Sequence, residues 1–416
     1  MKNILRNAGF LGASLMVLGA FAEGPAAGQG PVLSFGGSIT GAGVGVDQKV
    51  RLPGNPPAVT FISKGNLVMN VGGASHNNIG YGAVGVLNFD RAKSVSDRID
   101  EVYVYLNHDC IGNVKIGDTE GVTSTMMYTG DDVLGGLGGT SGDLDKLINM
   151  TRTVAFRPTI GDPANPNATK IVWISPEVYG FQIGLDFTPS TKLYGRLNRG
   201  TQNNVGLTTI RNASIAPYSY NLLAGGLSYN KAFTSFNLGL YLVGQTGKSK
   251  NDNIAATTAA GSGNIFKDTT GYQIGTLLDY QNWQFAASYF NNNRSRVRSN
   301  NLITRANTNT RGVNAAVGYD FARNANVALG YTYADRKTEG GRAKADVTML
   351  TMDYVVAPGW VAFAEVDYFD LRAPAAAIAD AGTNLLQTGV DIYSDSTVLN
   401  ANNRGTAVIL GTKLRF

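Results

Sequence analysis

The sequence predicts an all-β chain: a transmembrane antiparallel β-barrel of about 16 strands, interrupted by one long unpatterned stretch at about residues 121–167. Three observations predict it. Apolar and polar residues alternate with period two over about ten residues, segment after segment. Aromatic residues close both ends of the apolar stripe, Trp283 with Tyr289 and Trp360 with Tyr368. Short connections (Asn230-Lys231-Ala232, Gln281-Asn282, Ala357-Pro358-Gly359) alternate with long polar ones at 247–268, 295–309, 336–345 and 373–404. In hydrocarbon every backbone N–H and C=O needs a partner within the protein, so a sheet there must close on itself. A soluble β-sandwich also alternates, but it turns its apolar face into a core and seldom ends it in aromatic pairs.

The front of the chain is a different kind of segment. Lys2 and Arg6 precede an apolar run from Ala8 to Ala22 that ends in Ala20-Phe21-Ala22. Charge, length and small-residue ending predict a secretory signal peptide over 1–22, leaving 23–416 as the barrel. Its removal would take two positive charges and no negative one, so the formal net charge falls from +5 to +3. That balance is too mild to point to nucleic acid. Beyond residue 22 no run reaches the roughly 18 apolar residues of a membrane helix. The 416 residues include 52 glycines, 19 tyrosines and 17 phenylalanines. This composition suits many short strands and turns rather than helices. One cysteine, Cys110, allows no internal disulfide framework.

The strands are clearest in the second half. Phe236, Leu238, Leu240 and Leu242 step by two, as do Ile274, Thr276, Leu278 and Tyr280. Trp283, Phe285, Ala287 and Tyr289 follow, then Val313, Ala315, Val317, Tyr319 and Phe321. Val327, Leu329, Tyr331 and Tyr333 precede Leu350, Met352, Tyr354 and Val356, and the series reaches Trp360, Ala362, Ala364, Val366 and Tyr368. Eight less regular strands are expected between 32 and 230. A barrel of this size leaves an aqueous channel, whereas about eight strands pack solid. At the end, Val408, Leu410, Thr412, Leu414 and Phe416 alternate with Gly411, Lys413 and Arg415. A half-polar strand of this kind would invite aggregation unless it pairs on both sides, which closure against the first strand provides.

The rhythm breaks after Asp118 and resumes near Thr169. An unpatterned stretch of that length is usually functional or disordered. Between 118 and 166 it holds seven acids, including Asp131, Asp132, Asp143 and Asp145, against three bases, Lys146, Arg152 and Arg157. The plain reading is a solvated outer loop; the sharper one is a loop folded inward to narrow the lumen.

At this point the sequence resembles the general bacterial outer-membrane porins, sixteen-stranded and trimeric, particularly their alphaproteobacterial branch. The residues that carry the likeness run in order along the mature chain. They are Phe61-Ile62-Ser63-Lys64-Gly65-Asn66-Leu67 with Gly80-Tyr81-Gly82-Ala83, the segment Ile111 to Gly121, and Ile174-Ser175-Pro176 with Gly180. The terminal Phe416 completes the series. The resemblance implies a passive channel, with no enzymatic role, for small hydrophilic solutes and ions in the bacterial outer membrane. It implies that a constriction loop, about residues 121–167, folds into the lumen, and that Asp131, Asp132, Asp143 and Asp145 line it opposite wall bases, for which Lys64, Lys115, Arg157 and Arg196 are the candidates. Opposed charges across a pore set a transverse field and a size limit. The net −4 of the loop leans to a weak cation preference. Also implied are a homotrimer with the early strands at its interface, contact with outer-membrane lipid and lipopolysaccharide, and a C-terminal assembly signal, Leu414 and Phe416, read by strand addition. The sequence departs from the family pattern in carrying lysines where arginines cluster.

Other readings are weaker. Gly41-Ala42-Gly43-Val44-Gly45 lacks the helix and the Lys-Ser/Thr of a phosphate loop. A barrel hydrolase would need a base, yet His76 and His108 both lie in turn-like settings. No cofactor is expected, although Asp131-Asp132 and Asp143-Leu144-Asp145 could hold Ca²⁺ through oxygens at undiagnostic spacing. The alternatives are a substrate-selective channel, for which the loop offers only Tyr128 and Phe156 as aromatic lining, and a surface adhesin using the 373–404 loop.

Overall fold

The computed structural model describes residues 30–50, 58–89, 99–142, 144–149, 156–160, 167–191, 218–250, 267–293, 295, 310–322, 324–338, 341–372 and 402–416. The expected signal peptide, Asp143, Arg196 and the 373–401 part of the last long connection lie outside them. Within them the chain forms one closed antiparallel barrel of sixteen strands. The first eight are β1 (Val32–Gln48), β2 (Val59–Ala74), β3 (Gly80–Asn88), β4 (Ile99–His108), β5 (Gly112–Asp118), β6 (Thr169–Ile174), β7 (Phe181–Ser190) and β8 (Tyr218–Ala232). The second eight are β9 (Phe236–Lys250), β10 (Thr269–Tyr280), β11 (Trp283–Asn291), β12 (Thr310–Ala322), β13 (Ala325–Thr338), β14 (Gly341–Ala357), β15 (Trp360–Arg372) and β16 (Asn403–Arg415). Each pairs with its sequence neighbours, and β1 pairs with β16 from Ser38↔Arg415 to Gln48↔Gly405. The last strand therefore has no free edge. Backbone bonds between Gly37 and Phe416 in both directions extend the seam by one more residue.

The pleat sends alternate residues outward, and the outward set is apolar. Leu240, Leu242, Ile274, Leu329, Leu350 and Leu410 are all exposed. Exposed leucines in register around a closed sheet are what a lipid-facing barrel requires and what a sandwich forbids. Trp283 and Trp360 sit beside the tight turns, and Tyr289 and Tyr368 sit toward the opposite ends of the same strands. The Trp360 indole donates to Thr412 Oγ1 at 2.7 Å, and Trp283 packs on Tyr319 with ring centroids 4.6 Å apart.

Two connections differ from expectation. The long connection expected at 336–345 is a tight hairpin, with Thr338 opposite Gly341. The charged run Arg336-Lys337 and Arg342 to Lys344 looked like a loop, but its strands simply continue beyond the apolar belt. The turn expected at 230–232 is shifted to 233–235, because β8 continues to Ala232. The other tight turns use left-handed backbone, Gln281 with φ 53° and Gly359 with φ 78°, as short hairpins between twisted strands demand.

The inner wall is polar on one side and apolar on the other. Ala345, Val347, Met349, Phe369, Ala407 and Ile409 project inward and are fully buried. They are covered by Leu134, Leu137, Leu144, Leu147 and Phe156 of the segment between β5 and β6. That segment is inside the barrel.

The constriction loop and the lumenal wall

The loop is fixed at its root. Lys170 of β6 donates to the Thr119 carbonyl, Glu120 N–H donates to Glu101 Oε1 at 3.1 Å, and Val122 N–H donates to Asp186 Oδ2 at 2.6 Å. Burial pushes the Glu120 carboxyl up, with the nearby Asp100 charge adding and Lys115 and Lys170 opposing. A one-turn helix, Val122–Thr125, then lies against β7 and β8. Gly226 makes room for it: a Cβ there would stand 2.7 Å from Val122 Cγ1 and 3.1 Å from Met126 Sδ. Tyr128 donates to Asn230 Oδ1 at 2.8 Å and meets Tyr241 edge-on.

The middle of the loop is built on Asp131. Its carboxylate accepts from Thr140 Oγ1 at 2.6 Å, from Ser141 N–H at 2.8 Å and from Ser141 Oγ at 2.7 Å. Asn314 of β12 donates Nδ2 to it at 2.9 Å and accepts from Gly130 N–H. Asp131 is 5% exposed. Burial pushes its pKa up, against those four donors. Asp132 caps the same short turn by accepting from Thr129 N–H at 2.6 Å. Burial pushes Asp132 up to about 6, Thr129 N–H opposing and the Asp131 charge adding.

The tip is tied to the far wall by its backbone. Gly135 N–H donates to Thr351 Oγ1 at 2.9 Å, Gly136 N–H to Asp353 Oδ1 at 2.7 Å, and Leu137 N–H to Glu365 Oε2. Gly136 has φ 60°, and a Cβ on it would overlap the Glu365 side chain. Glycine is required here both for the left-handed backbone and for the close approach. On the return, Asp145 pairs with Arg157 at 2.8 Å. Asn149 then reaches the barrel seam: its N–H donates to Gln48 Oε1 at 2.9 Å, and its carbonyl accepts from Asn403 Nδ2 at 2.9 Å.

The residues picked out from sequence fall into distinct settings. Asp132 is half-buried, whereas Asp131 and Asp145 turn their oxygens to protein donors. Among the described residues no three His, Cys, Asp or Glu gather as a metal site. Lys64 lies in the inward phase of β2 and is half-buried. Lys115 is inward too but only 3% exposed, its ammonium 5.2 Å from the Tyr103 ring centre. Arg157, expected on the wall, belongs to the loop. Leu414 and Phe416 face outward.

Sequence reasoning missed Asn314, Thr351, Asp353 and Glu365, the wall residues that hold the loop. It also missed Lys413 and Arg415 as lumenal bases. Thr40 of β1 stands opposite both Lys64 and Lys413, which places two lysines in one row across the seam. The inward phase of Lys413 and Arg415 was visible in their alternation with Leu414. The identity of the loop's partners was not visible, because nothing local links positions separated by 183 to 228 residues.

A closed barrel, apolar outside and carrying a loop laid across its lumen, is the architecture of a membrane channel of the porin type. The chain belongs to the Gram-negative porin family, whose model matches residues 13–374. Among its relatives are an uncharacterized protein of Rickettsia typhi, 23% identical, and one of Rickettsia prowazekii, 22% identical. Each alignment covers 73% of this chain and 74% of the relative. The fold is shared with a mutant of the porin of Rhodopseudomonas blastica (TM-score 0.54, 11% identity, 92% of this chain and 100% of that one). It is also shared with OmpT of Vibrio cholerae (TM-score 0.56, 11% identity, 93% and 100%). Family and fold together indicate an outer-membrane channel.

Proposed function

We propose that the protein passes small hydrophilic solutes and ions through the outer membrane by passive diffusion, with a weak preference for cations and no catalytic step. The observation that carries this is the loop itself. It is pinned at its root to β4, β6 and β7, at its tip to β14 and β15, and at its return to β1 and β16. It therefore narrows the passage without being built on a binding pocket. A substrate-selective channel would present aromatic surface to its solute. Phe156 is buried instead, and the Tyr128 hydroxyl is taken by Asn230.

The cation preference rests on the −4 balance of the loop segment, with Asp132 a half-buried acid in its middle. It is opposed by Lys64, Lys413 and Arg415 across the seam. A homotrimer fits the outer face of the early strands. There Gly41, Gly43 and Gly45 of β1 replace large side chains, and Phe61, Val71, Val102 and Val104 supply apolar area with no tryptophan. The structural neighbour OmpT was solved in a trimer form. Export by a cleaved 1–22 segment, lipopolysaccharide contact, and recognition of the strand ending in Leu414 and Phe416 by the assembly machinery belong to the same reading.

The test is the reversal potential of the refolded protein in a planar bilayer under a KCl gradient. Stepwise conductance with a cation-signed potential supports the proposal. An anion-signed potential keeps the channel and gives control to the basic seam. No steps from protein shown to be folded would refute the channel.

A further inference from the structure

The returning arm of the loop, residues 156–160, is held on a second wall. Three side-chain amides donate to three consecutive carbonyls of it. Gln273 Nε2 of β10 donates to Pro158 at 2.9 Å, Asn292 Nδ2 just past β11 to Thr159 at 3.4 Å, and Gln245 Nε2 of β9 to Ile160. Gln273 and Ile160 are buried, and a Cβ on Gly271 of β10 would stand 3.3 Å from the Ile160 Cβ. Amides spent on main-chain carbonyls fix where the arm runs, whatever side chains it carries.

The loop's other anchorage faces this one across the lumen. Asn149 is bonded at the seam to Gln48 and Asn403, and its Nδ2 donates to the Val50 carbonyl at 2.6 Å. Around the barrel β1 is nine strands from β10 one way and seven the other. Sixteen strands about 4.8 Å apart and tilted about 40° enclose a barrel roughly 30 Å across. Asp145, four residues before Asn149, meets Arg157, the residue before Pro158, at 2.8 Å. Seam, Asn149, Asp145, Arg157, Pro158 and β10 therefore form one brace from wall to wall, with the ion pair at its middle.

The brace and the tip lie at different depths. Counted from the tight-turn end of their strands, the tip's partners Asp353 and Glu365 stand at four and five residues, whereas Gln273, Gln245 and Asn403 stand at seven, nine and twelve. At about 3.3 Å per residue along a tilted strand, the brace is roughly 10 Å nearer the end away from the tight turns, the outer mouth in such barrels. A solute from outside meets the brace first, and one from inside meets the tip first. We propose that the brace is a second narrowing, distinct from the tip, and that it sets the size of solute admitted from the outer side. Gln245, Gln273 and Asn292 are its positioning residues, and the Asp145–Arg157 pair joins its two halves. The inference rests on the channel reading, since a size limit has meaning only for an open passage.

The test uses the whole chain refolded into a planar bilayer, with neutral polyethylene glycols of graded length added to one side and then to the other. Folding is scored by the heat-resistant band and the channel reading by conductance steps, so failure of that reading shows as folded protein without steps. The native channel is expected to exclude from one side polymers that lower its conductance from the other. In Gln245→Ala, Gln273→Ala, Asn292→Ala the side difference is expected to vanish, the excluded polymers now acting from both sides. Arg157→Asp sets two acids together at the middle of the brace and is expected to do the same. Adding Asp145→Arg to it is expected to restore the native difference, and this charge swap tests the brace independently of the amide variant. Equal limits from the two sides of the native channel overturn the proposal. So does a difference that survives in either folded variant, or one that the charge swap fails to restore.

Discussion

Replacing Asp131 with alanine, and separately with asparagine, distinguishes a loop held by this carboxylate from a pore field set by it. The carboxylate accepts four hydrogen bonds, two from hydroxyls, one from a backbone N–H and one from the Asn314 amide. Losing a hydrogen bond to a charged group costs roughly 1.5–3 kcal/mol. Relief from burying the charge returns several kcal/mol, so the net weakening in the alanine variant is about 2–5 kcal/mol. None of it falls on the strand ladder. The barrel should therefore keep its resistance to heat in detergent while the loop leaves the wall for part of the time. Single-channel recording should then show larger or noisier open currents. Asparagine keeps an acceptor oxygen in place and should cost about 1–2 kcal/mol. Since Asp131 is 5% exposed, the asparagine variant should leave the reversal potential unchanged. Native currents from the alanine variant would refute the anchoring role. A shift toward anions in the asparagine variant would put the charge back in the pore.

Asp132 should make selectivity depend on pH. Its ordinary value of 3.8 is raised to about 6 in the folded loop, so the hold it contributes is complete below pH 3.8 and is lost as pH rises through about 6. Over the same interval the lumen gains a negative charge. Reversal potentials should move toward cations between about pH 5 and 7, and Asp132→Asn should abolish the change. Lys64→Glu should shift the reversal potential toward cations in a normally folded barrel. Lys115→Glu should instead lower the yield of heat-resistant protein, because it sets a third acid beside Glu101 and Glu120 where Lys115 is 3% exposed. Breaking a buried pair costs roughly 3–5 kcal/mol, enough to read in that assay.

The barrel was legible because a lipid-facing sheet writes itself as alternation. Each outward leucine or tyrosine must be apolar whatever its neighbours are, so the pattern survives strand by strand. The end of each strand was harder to read. Arg342 and Lys344 look like loop residues, yet they belong to a strand that continues beyond the apolar belt. The inward loop was legible as an interruption, and its acids were legible as acids. Their orientation was not, since whether Asp131 faces the pore or the wall depends on Asn314, 183 positions away. Lys413 was read as the polar face of a closing strand, but its nearness to Lys64 follows only from the register across β1.

The Asn149 contacts have a bearing on how the channel is made. Gln48 belongs to the first strand and Asn403 to the last, and Asn403 itself donates to Gln48 Oε1 at 2.9 Å. Asn149 touches both, so its full set of bonds exists only when the two ends of the sheet have met. The anchor that Asn149 gives the loop is therefore available only once the wall is complete. A ring still open cannot hold the loop's return in this way. Closure of the sheet thus also completes the seat on which this part of the loop rests.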